Sequence, residues 1–271
     1  MMSAHYTVFG NPIAHSKSPQ IHQLFAKQEG VSIEYSKTLV QNSPKDFQAA
    51  LNVFFHQQNG NGANVTLPFK EYAFALCPQL SHRAQAAGAV NTLFLKDNHI
   101  LFGDNTDGLG LVNDLKNNIG TTFSGSRVLI LGAGGAARGV ILPIKHEQPN
   151  QIIIANRTHE KAQKLADEFG IIAQPFEQLS GRFDIIINAT SSSISGAIPN
   201  IAPQCFLDSI AYDMFYASNA TPFMQTAKQY GATQIADGLG MLVEQAAAAY
   251  QLWRNFTPDT ASVIATIRAQ M

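Results

Sequence analysis

Apolar residues in the N-terminal part of the chain recur with helical spacing behind hydroxyl-proline pairs. Ile21, Leu24 and Phe25 follow Ser18-Pro19 at i, i+3, i+4 spacing, which predicts a helix opened by a serine cap and stopped by Gly30. Phe47, Leu51 and Phe54 behind Ser43-Pro44 predict a second helix, ending at the glycine-rich turn from Asn59 to Gly62. Ala63 to Leu67 then reads as a short buried strand, and Thr92 to Leu95 with Ile100 to Phe102 as a hairpin. From Arg127 onward the apolar runs become near-continuous. Val128 to Leu131, Ile152 to Ala155 and Asp184 to Ile187 have the composition of parallel strands covered on both faces. Thr158 to Phe169 carries a stripe of Ala162, Leu165, Ala166 and Phe169, with Thr158 as the expected cap, Glu160 in the first turn and Gly170 as the stop. Gly240 to Trp253 and Thr257 to Gln270 predict two final helices, the second opened by a Thr-Pro cap. Tyr250 and Trp253 read as core residues. Strands and helices in alternation define an α/β fold.

Length and charge narrow the possibilities. The 271 residues suffice for two domains at roughly 100 to 200 residues each. With 18 Lys+Arg against 19 Asp+Glu there is no basic stripe to neutralise phosphates, which argues against a nucleic-acid binder. Cys77 and Cys205 form neither a C-x-x-C pair nor a disulfide framework, which fits a reducing compartment and counts against zinc. The eight histidines supply no H-E-x-x-H pair, so His15 and His22 read as turn or face residues and no metal is expected. No stretch reaches the roughly 18 apolar residues of a membrane span, and Met1 to Val8 lacks the pattern of a secretion signal, so a soluble, cytoplasmic chain is expected.

Chemistry enters at Gly132-Ala133-Gly134-Gly135-Ala136-Ala137, a G-x-G-x-x-G/A match that follows one predicted strand and opens a helix. Small residues there let backbone amides and the positive helix end approach a pyrophosphate. The next strand ends at Ala155, where an acidic residue would bind the ribose 2'-hydroxyl of NAD. The chain has Asn156-Arg157-Thr158 instead, with Lys161 one turn on, and this charge favours the 2'-phosphate of NADP.

The other half offers polar residues at turns. Lys70, after a strand and a proline turn, and Asp107, in Asn105-Thr106-Asp107-Gly108, could flank a reacting hydroxyl and relay its proton, although Asp107 is equally explained as a helix-start residue favoured by the dipole. In His15-Ser16-Lys17-Ser18-Pro19 capping accounts for Ser18 but not Ser16, leaving an anion site as the other reading.

Taken in order, these segments resemble shikimate dehydrogenase. The likeness runs through Gly10-Asn11-Pro12-Ile13, His15 to Pro19, Asn64-Val65-Thr66, Pro68-Phe69-Lys70, Gly88 to Thr92 and Asn105 to Gly108. It continues through Gly132 to Ala137, Asn156-Arg157-Thr158, Asn188-Ala189-Thr190-Ser191, Asp213-Met214 with Tyr216, and Asp237 to Leu242 with Gln245. The resemblance implies an NADPH-dependent, reversible reduction of 3-dehydroshikimate to shikimate on the route to aromatic amino acids. It implies Lys70 and Asp107 as the catalytic pair, Ser16, Ser18 and Thr66 at the substrate carboxylate, and Asn91, Tyr216 and Gln245 as further substrate contacts. Gly132, Ala133, Gly134, Gly135, Ala136, Asn156, Arg157, Thr158 and Lys161 would carry the adenosine phosphates, with Thr190, Met214 and Gly238 near the nicotinamide. Two positions depart from the family pattern: Ser193 replaces a common glycine, and Lys161 a common arginine, keeping charge without the bidentate fork. The implied architecture is a Rossmann dinucleotide-binding domain, residues 107–237, inserted into a discontinuous α/β substrate domain of residues 1–106 and 238–271, with the active site in the cleft. The small-molecule substrate is the only expected ligand besides NADP, with no nucleic acid and no membrane, and the chain would act as a monomer or homodimer. The alternatives are a quinate/shikimate dehydrogenase using NAD, and a non-catalytic sensor of shikimate-type ligands, which would not need both Lys70 and Asp107.

Overall fold

The computed structural model describes residues 3–97, 99–192 and 198–271, so Ser193 lies outside the described residues. Two compact units are formed, residues 1–110 with 243–267 and residues 111–242 with 268–271.

In the first unit the order is β1 (Ala4–Gly10), α1 (Ser18–Glu29), β2 (Ile33–Leu39), α2 (Pro44–Asn52), β3 (Gly62–Val65), α3 (Lys70–Leu76), β4 (Gln79–Leu80), α4 (His82–Ala87), β5 (Thr92–Lys96), β6 (Ile100–Asp104) and the start of α5 (Asp107–Asn113). The strands form one mixed sheet, β2-β1-β3-β5-β6-β4, in which β5 and β6 are the expected antiparallel hairpin. Alternation along β1 sends Phe9 to one face and Tyr6 and Val8 to the other. Phe9 packs edge-on against Phe47 and Phe54, and Phe47 stacks on Phe69 with centroids 4.9 Å apart. On the opposite face Trp253 stacks on Tyr6, and a Cβ at Gly62 would run into the Trp253 indole, so this strand needs glycine there. Tyr250 is fully buried.

The second unit contains β7 (Arg127–Leu131), α6 (Gly135–His146), β8 (Gln151–Ala155), α7 (His159–Phe169), β9 (Ile172–Ala173), β10 (Ile185–Asn188), β11 (Ile210–Asp213), α8 (Pro222–Gln229) and β12 (Gln234–Asp237). Its sheet is wholly parallel, ordered β12-β11-β10-β7-β8-β9, and its central strands are buried beyond their first residues, which is why they read as unbroken apolar runs. Strand order reverses between β7 and β10, the switch point at which open parallel sheets bind ligands. Two last helices follow, α9 (Leu239–Arg254) and α10 (Thr260–Arg268).

The structure corrects some local expectations. The divisions between units fall inside α5 and α9 rather than at 106/107 and 237/238, because continuous helices carry the chain from one unit to the other. Residues 268–271 belong with the second unit, where Arg268 forms an ion pair with Asp237. Ser43 caps α2 through the Asp46 amide, as expected. Ser18 does not cap α1. It is already helical, Lys17 occupies the cap position, and Ser16 accepts the Ser18 amide. Thr158 stands at the cap of α7 without a capping bond, and α10 begins at Thr260, with Asp259 rather than Thr257 serving its first turn.

Candidate active site

The polar residues of the first unit are joined by a continuous hydrogen-bond network. Lys70 is the first residue of α3 and Asp107 the first of α5; the Lys70 Nζ donates to Asp107 Oδ2 at 2.6 Å, and each side chain is about one quarter exposed. The pair is therefore reachable from solvent yet ordered. Asn91, just before β5 and almost fully buried, holds the other carboxylate oxygen through Nδ2 at 2.8 Å. The same amide lies 3.0 Å from Thr106 Oγ1 and 3.2 Å from Gln245 Oε1, and its oxygen accepts the Thr106 amide and the Thr92 hydroxyl. Asn105 Oδ1 receives the Asp107 amide, and Asp104, buried and paired with Arg83, receives the Asn105 amide. Strand β6 thus delivers Asp107 in a fixed pose.

From Asn91 the network continues to Asn64 and Tyr35. Asn64 donates to the Asn91 carbonyl at 3.1 Å and accepts the Tyr35 hydroxyl at 2.7 Å. Ser18 lies near the Tyr35 hydroxyl, and Ser16 donates to Ser18 at 3.2 Å. Burial pushes the Tyr35 phenol well above its ordinary value, so it stays a neutral donor. Thr66 is half-buried; its methyl lies against Gly10, where a Cβ would overlap it. The network therefore gathers Lys70, Asn91, Asp107 and Gln245, with the Ser16–Ser18 pair beside its Tyr35 end.

Asn64, Tyr35 and Thr106 carry no role in the sequence reading, although a polar residue inside the apolar run Ala63 to Val65 is itself a signal, since buried polar groups need partners. His22 is fully buried and stacks on Tyr35 with centroids 4.5 Å apart; desolvation brings its imidazole down to about 3, so it is neutral. It lies on the buried face of α1.

In the second unit the expected residues gather at the carboxyl ends of the parallel strands. Gly132 follows β7 with φ +106°, a conformation suited to glycine, while Thr190 and the Ala189 backbone crowd the place of its missing Cβ. Gly134 stands at the cap of α6, no side chain caps this helix, and space is open above both Gly134 and Gly135. Ala133 and Ala136 are accessible, whereas Ala137 is fully buried where α6 packs on the sheet. These features fit a pyrophosphate against the helix N-terminus. Beyond β8, Asn156 donates to the Thr158 carbonyl at 2.8 Å and closes the turn. Arg157, Thr158 and Lys161 are exposed, and neither cation has an ion-pair partner among the described residues. Such cations at a helix start suit a bound 2'-phosphate.

Thr190 is held after β10 by Asn188, whose side-chain oxygen accepts its hydroxyl at 2.6 Å. Met214, after β11, donates its amide to the Asn188 carbonyl, and its own carbonyl abuts Gly238, where any Cβ would overlap it. Tyr216 is half-buried, and both desolvation and the nearby Asp237 carboxylate push its phenol up. Among the described residues no cluster of metal-ligating side chains occurs, and no helix is long and apolar enough to cross a membrane.

Comparison with known proteins identifies the family. Residues 8–93 match the family model of the shikimate dehydrogenase substrate binding domain, residues 114–195 that of shikimate / quinate 5-dehydrogenase, and residues 238–268 that of the shikimate 5'-dehydrogenase C-terminal domain. The chain is 53% identical over 271 residues, 98% of either chain, to shikimate dehydrogenase (NADP(+)) of Aeromonas salmonicida. Among solved structures it is similar to an Ael1 enzyme from Pseudomonas putida, with TM-score 0.93, 40% identity and coverage of 97% of this chain and 98% of that one. It is also similar to shikimate 5-dehydrogenase from Thermus thermophilus in complex with NADP(H) and shikimate, with TM-score 0.87, 32% identity and coverage of 99% and 100%. On these matches, and with a parallel sheet carrying a glycine loop in one unit and a lysine-aspartate pair in the other, the chain belongs to the shikimate dehydrogenase family.

Proposed function

We propose that this protein catalyses the reversible, NADP-dependent reduction of 3-dehydroshikimate to shikimate, a step towards aromatic amino acids. The observation that carries the reading is the Lys70–Asp107 pair, held at 2.6 Å and fixed from behind by Asn91, in a chain with this family membership. NADPH, when bound, supplies the hydride that adds to the C3 carbonyl carbon. Lys70 meets the oxygen with its ammonium hydrogens, stabilising developing negative charge and passing on a proton, while Asp107 holds the ammonium in place. Ser16, Ser18 and Thr66 receive the substrate carboxylate, and Asn91, Gln245 and Tyr216 position the ring. The amides of Gly132 to Ala136 cradle the pyrophosphate, and Asn156, Arg157, Thr158 and Lys161 hold the adenosine 2'-phosphate. Thr190, Met214 and Gly238 shape the nicotinamide end.

The test is absorbance at the reduced-nicotinamide band with purified protein and shikimate, run with NADP and NAD in parallel. Fast turnover with NADP alone is expected. Equal rates with NAD and with quinate would move the assignment to the broader quinate/shikimate dehydrogenase, and absence of turnover would refute the catalytic reading in favour of a ligand sensor.

A further inference from the structure

Arg268, where α10 ends, has no part in the roles above, yet it surrounds a buried carboxylate at the edge of the parallel sheet. Its Nη1 donates to Asp237 Oδ2 at 2.8 Å and its Nη2 to Asp237 Oδ1, a two-pronged grip. The same Nη1 donates to the Ala217 carbonyl at 3.1 Å. The Asp237 side chain is only 4% exposed and also accepts the amides of Ala217, at 3.3 Å, and Leu239, at 3.2 Å. Next to it, the Gly238 amide donates to the Phe215 carbonyl at 3.2 Å. Asp237 therefore fastens the end of β12 to residues 214–217 on one side and to the first turn of α9 on the other. Among the described residues, Arg268 is its only ion-pair partner.

We infer that Arg268 is a positioning residue for the nicotinamide end of the cofactor site, acting through Asp237 on Met214, Ala217 and Gly238. This rests on the NADP reading of the second unit. Without the guanidinium, a buried carboxylate keeps only two backbone donors, and the 214–217 segment loses its carbonyl anchor at Ala217. The adenosine end should not feel the loss. Its residues follow β7 and β8, separated from β12 in the sheet order by β10 and β11, and none shares a hydrogen bond with Arg268.

The experiment is calorimetric titration of the full chain, wild type and Arg268→Gln, with NADP+ and with 2'-phospho-ADP-ribose, which is the same molecule without nicotinamide. The Kd for NADP+ is expected to rise about fivefold or more, while that of the truncated ligand changes by less than about twofold. Arg268→Lys, which keeps the charge but not the fork, should fall between. Amide exchange at Ala217 and Gly238 should quicken in Arg268→Gln. Equal losses for both ligands, or unchanged affinities with only a lower Tm, would overturn the inference. Should Arg268→Gln not fold, Arg268→Lys carries the same comparison, a selective loss of NADP+ affinity supporting the inference and a parallel or absent loss rejecting it. Wild-type protein that binds neither ligand would refute the cofactor reading itself, whereas wild-type binding with non-selective losses refutes only the role of Arg268.

Discussion

Asn91→Asp exchanges one amide nitrogen for oxygen at the centre of the first unit's polar network, with almost no change in volume. In the native protein that nitrogen donates to Asp107 Oδ1 at 2.8 Å. The substituted side chain faces Asp107 across the same gap. Two carboxylate charges centred about 4 Å apart repel by about 4 kcal/mol at an effective dielectric of about 20, of which the Lys70 ammonium paired with Asp107 offsets a part. The carboxyl introduced at position 91 therefore keeps its proton to higher pH than an isolated carboxyl and, while protonated, offers it to Asp107 in place of the lost amide hydrogen. Above that range its ionisation sets two like charges together, and the Asp107 side chain no longer holds Lys70. The assay is the pH dependence of kcat/KM for shikimate oxidation, expressed as the ratio of variant to wild type. The ratio should lie within about tenfold of unity near pH 5.5 and drop by a further order of magnitude or more by about pH 8.5. A ratio that stays flat over this range, or rises with pH, would refute the idea that Asn91 acts as a neutral donor fixing the carboxylate.

Other perturbations follow from the same geometry. Arg157→Ala should raise KM for NADPH about 10- to 100-fold by removing charge-assisted bonds, and leave KM for NADH within about twofold; equal effects on both cofactors would contradict the 2'-phosphate assignment. His22, at about 3 in the folded state against an ordinary value of 6.5, leaves the unfolded chain with the extra proton between these values, so stability falls as pH drops through this window. The loss from this residue between pH 7 and about 4.5 is about 2 to 3 kcal/mol, and urea titrations of His22→Phe at the two pH values should show that much less acid sensitivity; parallel losses in wild type and variant would disprove the assignment. At Gly240 a Cβ would overlap the Asp114 carboxylate, which is held by the Tyr212 hydroxyl at 2.7 Å and by Asn118. Gly240→Ala should cost about 2 to 4 kcal/mol in a denaturation experiment, and a variant as stable as wild type would contradict that packing.

What is legible in the sequence follows from which forces act locally. The strands from Val128, Ile152 and Asp184 are buried on both faces, so apolar runs alone identify them, and the glycine loop is legible because backbone approach to a phosphate demands small residues at fixed spacing. Strand β2 is not legible: it lies at the sheet edge with Tyr35 as its only buried residue, and its polar pattern resembles a loop. The four-residue strands β11 and β12 are too short for any periodicity to show. Family likeness points to Lys70, Asn91, Asp107 and Gln245, but residues far apart in the chain meet only through tertiary packing, and nothing local announces that Asn91 touches both Asp107 and Gln245. Ser18 mimics a cap because a serine before proline looks the same whether it is the cap or the first helical residue; Ser16, two positions earlier, takes the amide instead. The Asp237–Arg268 pair is hidden for a similar reason, since an arginine in a final helical turn already has a sufficient explanation in the helix dipole.

The catalytic pair is tested most directly by steady-state oxidation of shikimate by Lys70→Ala at saturating NADP+ and shikimate, with the Kd for NADP+ measured alongside. A fall in kcat of about 10² to 10⁴ with NADP+ affinity unchanged is expected if Lys70 serves the oxygen in the transition state. A kcat within a few-fold of wild type would contradict the assignment of Lys70 and Asp107 as the machinery of hydride transfer.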